Sequence, residues 1–361
     1  MVLDAVRSRI GGPETQPSGK PITPRNFHPK DIVVVVGAAG GSFGLVWLIF
    51  SQLLPLQGIQ GFLILWAVAF VVMYYVATRE MDGTIVARDR VMAAIITVVA
   101  IGITIPLILI LGYVTAKGIH FIRVAFFTTT MENVGPLSPS SETGGLQAIV
   151  GTVEQVGIAM LIAVPLGVMT AVYLNEVRGR LRRPVRIFVD AMSGTPSIVA
   201  GLFIFAMFVT GHGFSGFAAA LALSVLMLPT VTRATEVVLR LVPDGLREAS
   251  LALGSPEWRT TWKVVLPTAR SGVITAILLG IARVVGETAP LIMTSFGNNS
   301  MNVNPFSGPQ ASMPLSAFKL FQSSQTADVD RAWVFAFVLI AMVLVLFVAA
   351  RRSAQRQLVR R

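Results

Sequence analysis

REASLALGSPEWRTTWKVVLPTARSGVITAILLGIARVVGETAP, residues 247–290, decides how the chain is read. Its first half is charged and amphipathic. Its second half is a long apolar run that carries Arg283 and Glu287. The first half has the character of a docking surface for a soluble partner. The second has that of a membrane-crossing helix, in which an arginine is costly and therefore functional by default.

Composition extends this reading to the whole chain. Of 361 residues, 54% are hydrophobic and 13% charged, whereas soluble domains carry about 25% charged residues. Uninterrupted apolar runs of about 20 residues predict membrane helices rather than a barrel. The expected fold is all-α, a polytopic transmembrane helical bundle. Its eight spans are predicted near 32–54, 59–78, 91–116, 146–174, 188–210, 217–235, 270–296 and 332–350. Residues 1–31, rich in Pro and Gly, read as a disordered tail that is retained, with no signal-peptide pattern. LPLQG makes a short turn between the first two spans. The Gly37, Gly40, Gly41 and Gly44 stripe predicts close helix packing there.

The net charge of +11 does not mark a nucleic-acid binder, because the basic residues sit in short loops beside apolar spans. With the N-terminus inside, 22 of the 29 Lys and Arg fall in inside segments and 4 (Lys117, Arg123, Lys319 and Arg331) outside. That bias predicts cytoplasmic N- and C-termini. The outside loops 117–145 and 297–331 are either solvated connectors or rests for an extracytoplasmic partner. The chain has no Cys and three scattered His, so neither disulfides nor a metal cluster is expected.

Residues 244–267 are neither apolar enough to span nor polar enough to be disordered. Asp244 is placed to cap a helix that Gly254 ends; Ser255 and Pro256 open a second, until Leu266-Pro267 turns the chain toward the membrane. Glu248-Ala249-Ser250, then Gly254, then Val264-x-Leu266-Pro267 resembles the EAA signature of ABC-importer permeases, with every spacing kept and two conservative changes. The resemblance implies that 244–267 is a coupling element gripped by a separate ATPase, with Glu248, Ala249, Gly254, Leu266 and Pro267 at the motif positions. Around Gly19-Lys20 the phosphate-cradling pattern fails, because Glu14 and Pro21 stand where Gly and Ser or Thr are needed. ATP and Mg are therefore expected on partner subunits, with no cofactor in this chain.

Arg283 is predicted near the centre of the seventh span, with Glu287 four residues on and on the same helical face. One reading is an oxyanion site, since a guanidinium matches tetrahedral oxyanions in a bidentate way. The other is an internal Arg–Glu pair that sets packing. Arg233 is read either as a snorkelling interface residue or as part of the pathway, while Glu154 and Asp190 read as structural. In SGTPSIVAG, Thr195 and Ser197 flank Pro196, which either kinks a helix or interrupts it beside a binding site.

GTPSIVAGLF, the EAA stretch and ARVVGETAPL together resemble the PstA-type permeases of bacterial high-affinity phosphate importers, over about residues 91–350. The resemblance implies a type I permease core formed by the last six spans, in the bacterial inner membrane. It implies alternating access driven by two ATPase subunits, a second related permease subunit, and an extracytoplasmic phosphate-binding protein. It implies that Arg283 and Glu287 serve phosphate passage, with Arg233, Thr195 and Ser197 along the path. Residues 32–90 add two helices to that six-span pattern, and 351–361 form a basic tail.

Overall fold

A computed structural model describes residues 29–53, 58–135, 137–177 and 179–359. The tail expected over 1–28 and most of the LPLQG turn lie outside the described residues. Helix dominates, and no strand is formed among the described residues beyond one isolated bridge between Phe296 and Gln310. Seven helices are long and apolar enough to cross a membrane, or eight if one bent pair counts as a span. Many of these runs are rich in Val and Ile. They are helical nonetheless, because only a helix satisfies every backbone N–H and C=O internally where water is absent.

The chain divides into two compact units, 1–108 and 109–361. In the first, α1 (Pro29–Leu48) is extended by a π turn over Ile49–Leu53, and α2 (Ile59–Asp82) packs on it. The Trp66 indole N–H donates to the Ala39 carbonyl at 3.2 Å, and Phe43 meets Phe62 and Trp66 edge-on. Arg90 joins Asp31 at 2.8 Å and Asp82 at 2.9 Å. The glycine stripe is used less than its spacing predicts. A side chain at Gly41 would press on Met73, but one at Gly37, Gly40 or Gly44 would meet nothing. α3 (Thr84–Phe121) runs from the first unit into the second.

The second unit is built on α4 (Leu146–Glu176) against α7 (Gly216–Arg240). On α4 the buried residues Gly151, Gln155, Ala159, Ala163, Gly167 and Ala171 fall at every fourth position, which is one helix face. Lipid offers no hydrophobic drive between helices, so close van der Waals approach of small residues supplies the attraction. At Gly167 a Cβ would lie 3.1 Å from Val231, and at Gly151 it would collide with the Ala311 carbonyl. α9 (Glu257–Val285) also packs on α7, where a Cβ at Gly272 or Gly280 would collide with Val238 or Val231.

Two predicted spans are corrected. The 188–210 run is two helices, α5 (Arg182–Ser193) and α6 (Ser197–Ile204, continued to His212), bent by 105°. Pro196 lacks an N–H and disfavours helical geometry at Thr195, so this is a break and not a kink. The 270–296 run ends at Val285. After Gly286, Glu287 and Thr288, the short α10 (Ala289–Thr294) begins. The last helix, α12 (Thr326–Val359), extends beyond the predicted 332–350 and takes in residues 351–359.

At one end of the second unit the long connections are folded. A 3-10 turn over Val124–Phe127 buries Phe126, and α11 (Met313–Phe321) packs on α12. Arg331 is fully buried and fastens this end. It donates to the carbonyls of Glu142 (3.0 Å), Ser138 (2.6 Å), Pro139 (3.0 Å) and Gly135 (3.4 Å), and pairs with Asp328 at 2.6 Å.

Candidate functional site

At the opposite end, α8 (Asp244–Ala252) and the start of α9 form the two-helix element expected from sequence. Its caps are shifted by one residue. Pro243 and Pro256 occupy the N-cap positions, and Asp244 and Glu257 lie in the first turns, where their charges complement the helix dipole. Neither Asp244 nor Ser255 caps through its side chain. Gly254 has φ +79°, the left-handed conformation that disfavours side chains and ends a helix.

Leu266-Pro267 does not turn the chain. Helix continues from Glu257 through a π turn over Thr261–Val265 and on to Val285. A wider turn just before Pro267 absorbs its missing N–H and relieves the clash its ring would make with an α-helical carbonyl. The element is locked internally by Ser250 and Thr260, whose hydroxyls lie 2.9 Å apart. Glu248, Ala249 and Gly254 are exposed, and Leu266 and Pro267 are half-buried. Trp258, Trp262 and Leu253 are exposed at 61%, 57% and 88%, an apolar surface that the chain itself leaves uncovered.

Arg247, one turn into α8, is the anchor that sequence reading missed. It donates to Glu176 at the end of α4 (3.0 and 3.3 Å), to the carbonyls of Leu239 (2.9 Å) and Val242 (2.7 Å), and to Asp244 (3.0 Å). The Glu176 hydrogen bond raises its pKa above the usual arginine value, against the opposing effect of burial, so the clamp stays charged. A polar cleft of about 650 Å³ opens beside it, lined by Arg182, Arg240, Thr260 and Thr261 among others.

Replacing Gly254 tests the turn. A β-branched residue at φ +79° costs at least about 1–2 kcal/mol. Gly254→Val is expected to reduce coupled transport, while Gly254→Asn, which tolerates the left-handed region, keeps most of it. Equal transport by both variants would show that the turn geometry does not matter.

Arg283 lies in the last turn of α9 and is exposed, not central to a span. Glu287 is half-buried in the break that follows, and so does not share a helical face with Arg283. Gly286 ends the helix before that register is reached. Among the described residues neither side chain makes an ion pair or hydrogen bond, so the internal Arg–Glu pair is not formed. The negative end of the helix dipole favours the Arg283 cation there. Thr195 and Ser197 flank the other break, where the Thr195 hydroxyl donates to the Ala191 carbonyl at 3.1 Å. The helices that follow the two breaks, α6 and α10, pack on each other. A Cβ at Gly201 would lie 2.7 Å from the Pro290 Cα. Two interrupted helices therefore lie side by side, the arrangement from which membrane proteins build binding sites.

Arg233 is not a snorkelling residue. It pairs with Asp190 of α5 and with Glu236 at 2.8 Å. Glu236 is buried and also holds Arg186 at 2.6 Å and Arg240 at 2.5 Å. The cluster therefore ties α5 to α7. The Arg233, Glu236 and Arg240 spacing of three and four residues was the available signal. Glu154 accepts from Gln310 at 2.5 Å, and Gln155 donates to Gln310 and to the Ala311 carbonyl. Glu154 and Asp190 thus have partners within the chain, in keeping with their structural reading.

The chain is similar to known proteins. Residues 163–361 match the family described as binding-protein-dependent transport system inner membrane component. The chain is similar to phosphate transport system permease protein PstA 1 of Mycobacterium tuberculosis, at 44% identity over 69% of this chain and 85% of that one. It is similar to phosphate transport system permease protein PstA of Yersinia pestis, at 39% identity over 68% and 82%. Among solved structures, the MetNI methionine ABC transporter in inward facing conformations is similar at TM-score 0.47 and 20% identity, over 58% of this chain and 92% of that one.

Proposed function

From the premise that the chain belongs to the binding-protein-dependent transport system inner membrane component family, we propose that it is the permease subunit of an importer of inorganic phosphate. The observation that carries this is its relationship to phosphate permeases along most of their length, at 35–44% identity. The chain is a transport subunit of the membrane. The basic segments, including Arg180, Arg182, Arg183, Arg240, Arg259 and Lys263, favour placing the α8 end in the cytoplasm.

In that orientation α8 and the start of α9 offer Trp258, Trp262 and Leu253 to an ATPase subunit that holds ATP and Mg. Exposed aromatic anchors of this kind carry most of the energy of protein interfaces. Closure of two such ATPases moves α8. Arg247 passes the motion to α4, and the Ser250–Thr260 contact passes it to α9. At 1.5 Å per residue, α9 carries it about 35 Å from Thr260 to Arg283. An exposed, unpaired Arg283 suits a path shared with a second, related permease subunit, supplied by an extracytoplasmic phosphate-binding protein.

Arg283 supplies the bidentate donor for an oxyanion, and Glu287 supplies an acceptor. Phosphate near neutral pH still carries an O–H to give to that acceptor, whereas sulfate has none and leaves it unpaired. Arg233, Thr195 and Ser197 belong to the same route, at the Glu236 cluster and at the α5–α6 break. The test is uptake by the reconstituted importer. Labelled phosphate is expected to enter only with ATP, and a hundredfold excess of sulfate is expected not to compete. Uptake that survives without ATP, or equal competition by sulfate, overturns this assignment.

A further inference from the structure

α11, α12, the first turn of α4 and the turn after α10 line a half-open cavity of about 370 Å³. Its wall carries Gln147, Asn298, Asn299, Ser316 and Lys319, and Phe335 lies on its apolar side. Its lining includes neither Arg283 nor any residue of the Glu236 cluster. The Phe296–Gly297 turn beside it has two successive positive φ values, 60° and 71°, and is held there by Lys319, whose ammonium donates to the Phe296 carbonyl and lies 4.8 Å from its ring centroid.

Asn298 is engaged, donating to the Pro309 carbonyl at 3.2 Å and accepting from the Ser300 amide, but other polar groups of this cavity are unused. Gln147 is 2% exposed, and its Oε1 accepts no hydrogen bond. An orphaned buried polar atom costs about 1–3 kcal/mol, a cost that a ligand removes. Lys319 spends one of three ammonium donors on Phe296 and pairs with no carboxylate among the described residues. Partial desolvation lowers its pKa, as expected for a cation that lacks a counter-ion. The side chains of Asn299 and Ser316 make no hydrogen bond among the described residues, and Ser316 and Lys319 share a helix face at i, i+3.

We propose that this cavity binds inorganic phosphate, as a receiving site on the extracytoplasmic face of the permease. Lys319 meets the anionic oxygens. Ser316 and Asn299 add donors. The Gln147 amide, which carries both an acceptor and donors, meets either a protonated or a bare oxygen. The cavity has room for a tetrahedral anion together with several waters. The proposal rests on the phosphate reading above, and it adds a site that the reading does not require.

The test is lysine labelling of the whole chain in the reconstituted importer, with an amine-acylating reagent and peptide mass spectrometry. Inorganic phosphate is the ligand, chloride the control, and Lys263 at the opposite end the internal reference. Phosphate is expected to slow acylation of Lys319 about tenfold, equivalent to about 1.4 kcal/mol, and to leave Lys263 unchanged. Ser316→Asp, which supplies Lys319 with a carboxylate, is expected to abolish the phosphate effect while the chain still assembles. Lys319→Gln is expected to raise the phosphate concentration for half-maximal uptake about tenfold. Equal acylation of Lys319 with phosphate and chloride overturns the site, as does protection by the binding protein alone. If phosphate uptake persists in that case, the importer reading stands and only this site falls; if wild-type uptake itself is absent, the importer reading falls.

Discussion

Replacing Arg283 with Gln is expected to abolish phosphate uptake, by roughly a hundredfold or more, while the ATPase subunits still bind. The size follows from chemistry. A guanidinium gives a tetrahedral oxyanion two parallel charge-assisted hydrogen bonds, each worth about 1.5–3 kcal/mol. Arg283 makes no hydrogen bond or ion pair among the described residues, so its replacement breaks none of these and the fold is expected to be retained. Arg283→Lys keeps the charge but not the fork, and falls between wild type and Arg283→Gln. The measurement is ATP-dependent uptake of labelled phosphate, with co-purification of the ATPases as the control. Normal uptake by Arg283→Gln would falsify the anion-site assignment.

The second large effect is on stability. Arg331→Leu is expected to destabilise the second unit by about 3–5 kcal/mol. Arg331 is fully buried and binds four carbonyls of the 135–142 segment together with Asp328. Leucine leaves all of these acceptors in place and removes every donor. For a unit of this size the fall in Tm is on the order of 10 °C, read by thermal unfolding in detergent. Limited proteolysis should then cut first within 132–145. A change in Tm below about 2 °C would show that water replaces the guanidinium and that the clamp contributes little.

Much of this architecture was legible in the residues. Hydropathy located the helices, because membrane helices need about 20 apolar residues whatever packs beside them. The two-helix element over 244–267 was legible because its motif is local: Glu248 to Pro267 is one continuous piece with fixed spacing. The two breaks were less legible. Thr195-Pro196 and Gly286-Glu287-Thr288 sit inside apolar runs, and hydropathy averages over them. Gly286 ends a helix and so takes Glu287 off the face of Arg283. The ionic anchors were hidden for a different reason. Arg186 reaches Glu236 across 50 positions, Arg247 reaches Glu176 across 71, and Arg331 reaches Glu142 across 189. In sequence Arg331 is merely a cation in a polar loop. Only the tertiary fold turns it into a buried clamp.

The π turn over Thr261–Val265 has a consequence for rotational phase. One extra residue in a turn offsets everything beyond it by about 100° around the helix axis. The azimuth of Arg283 therefore cannot be projected from Trp258 with one unbroken 3.6-residue period. The face that α9 presents near Trp258 and the face that carries Arg283 are thus set in different registers, one on each side of the π turn that precedes Pro267.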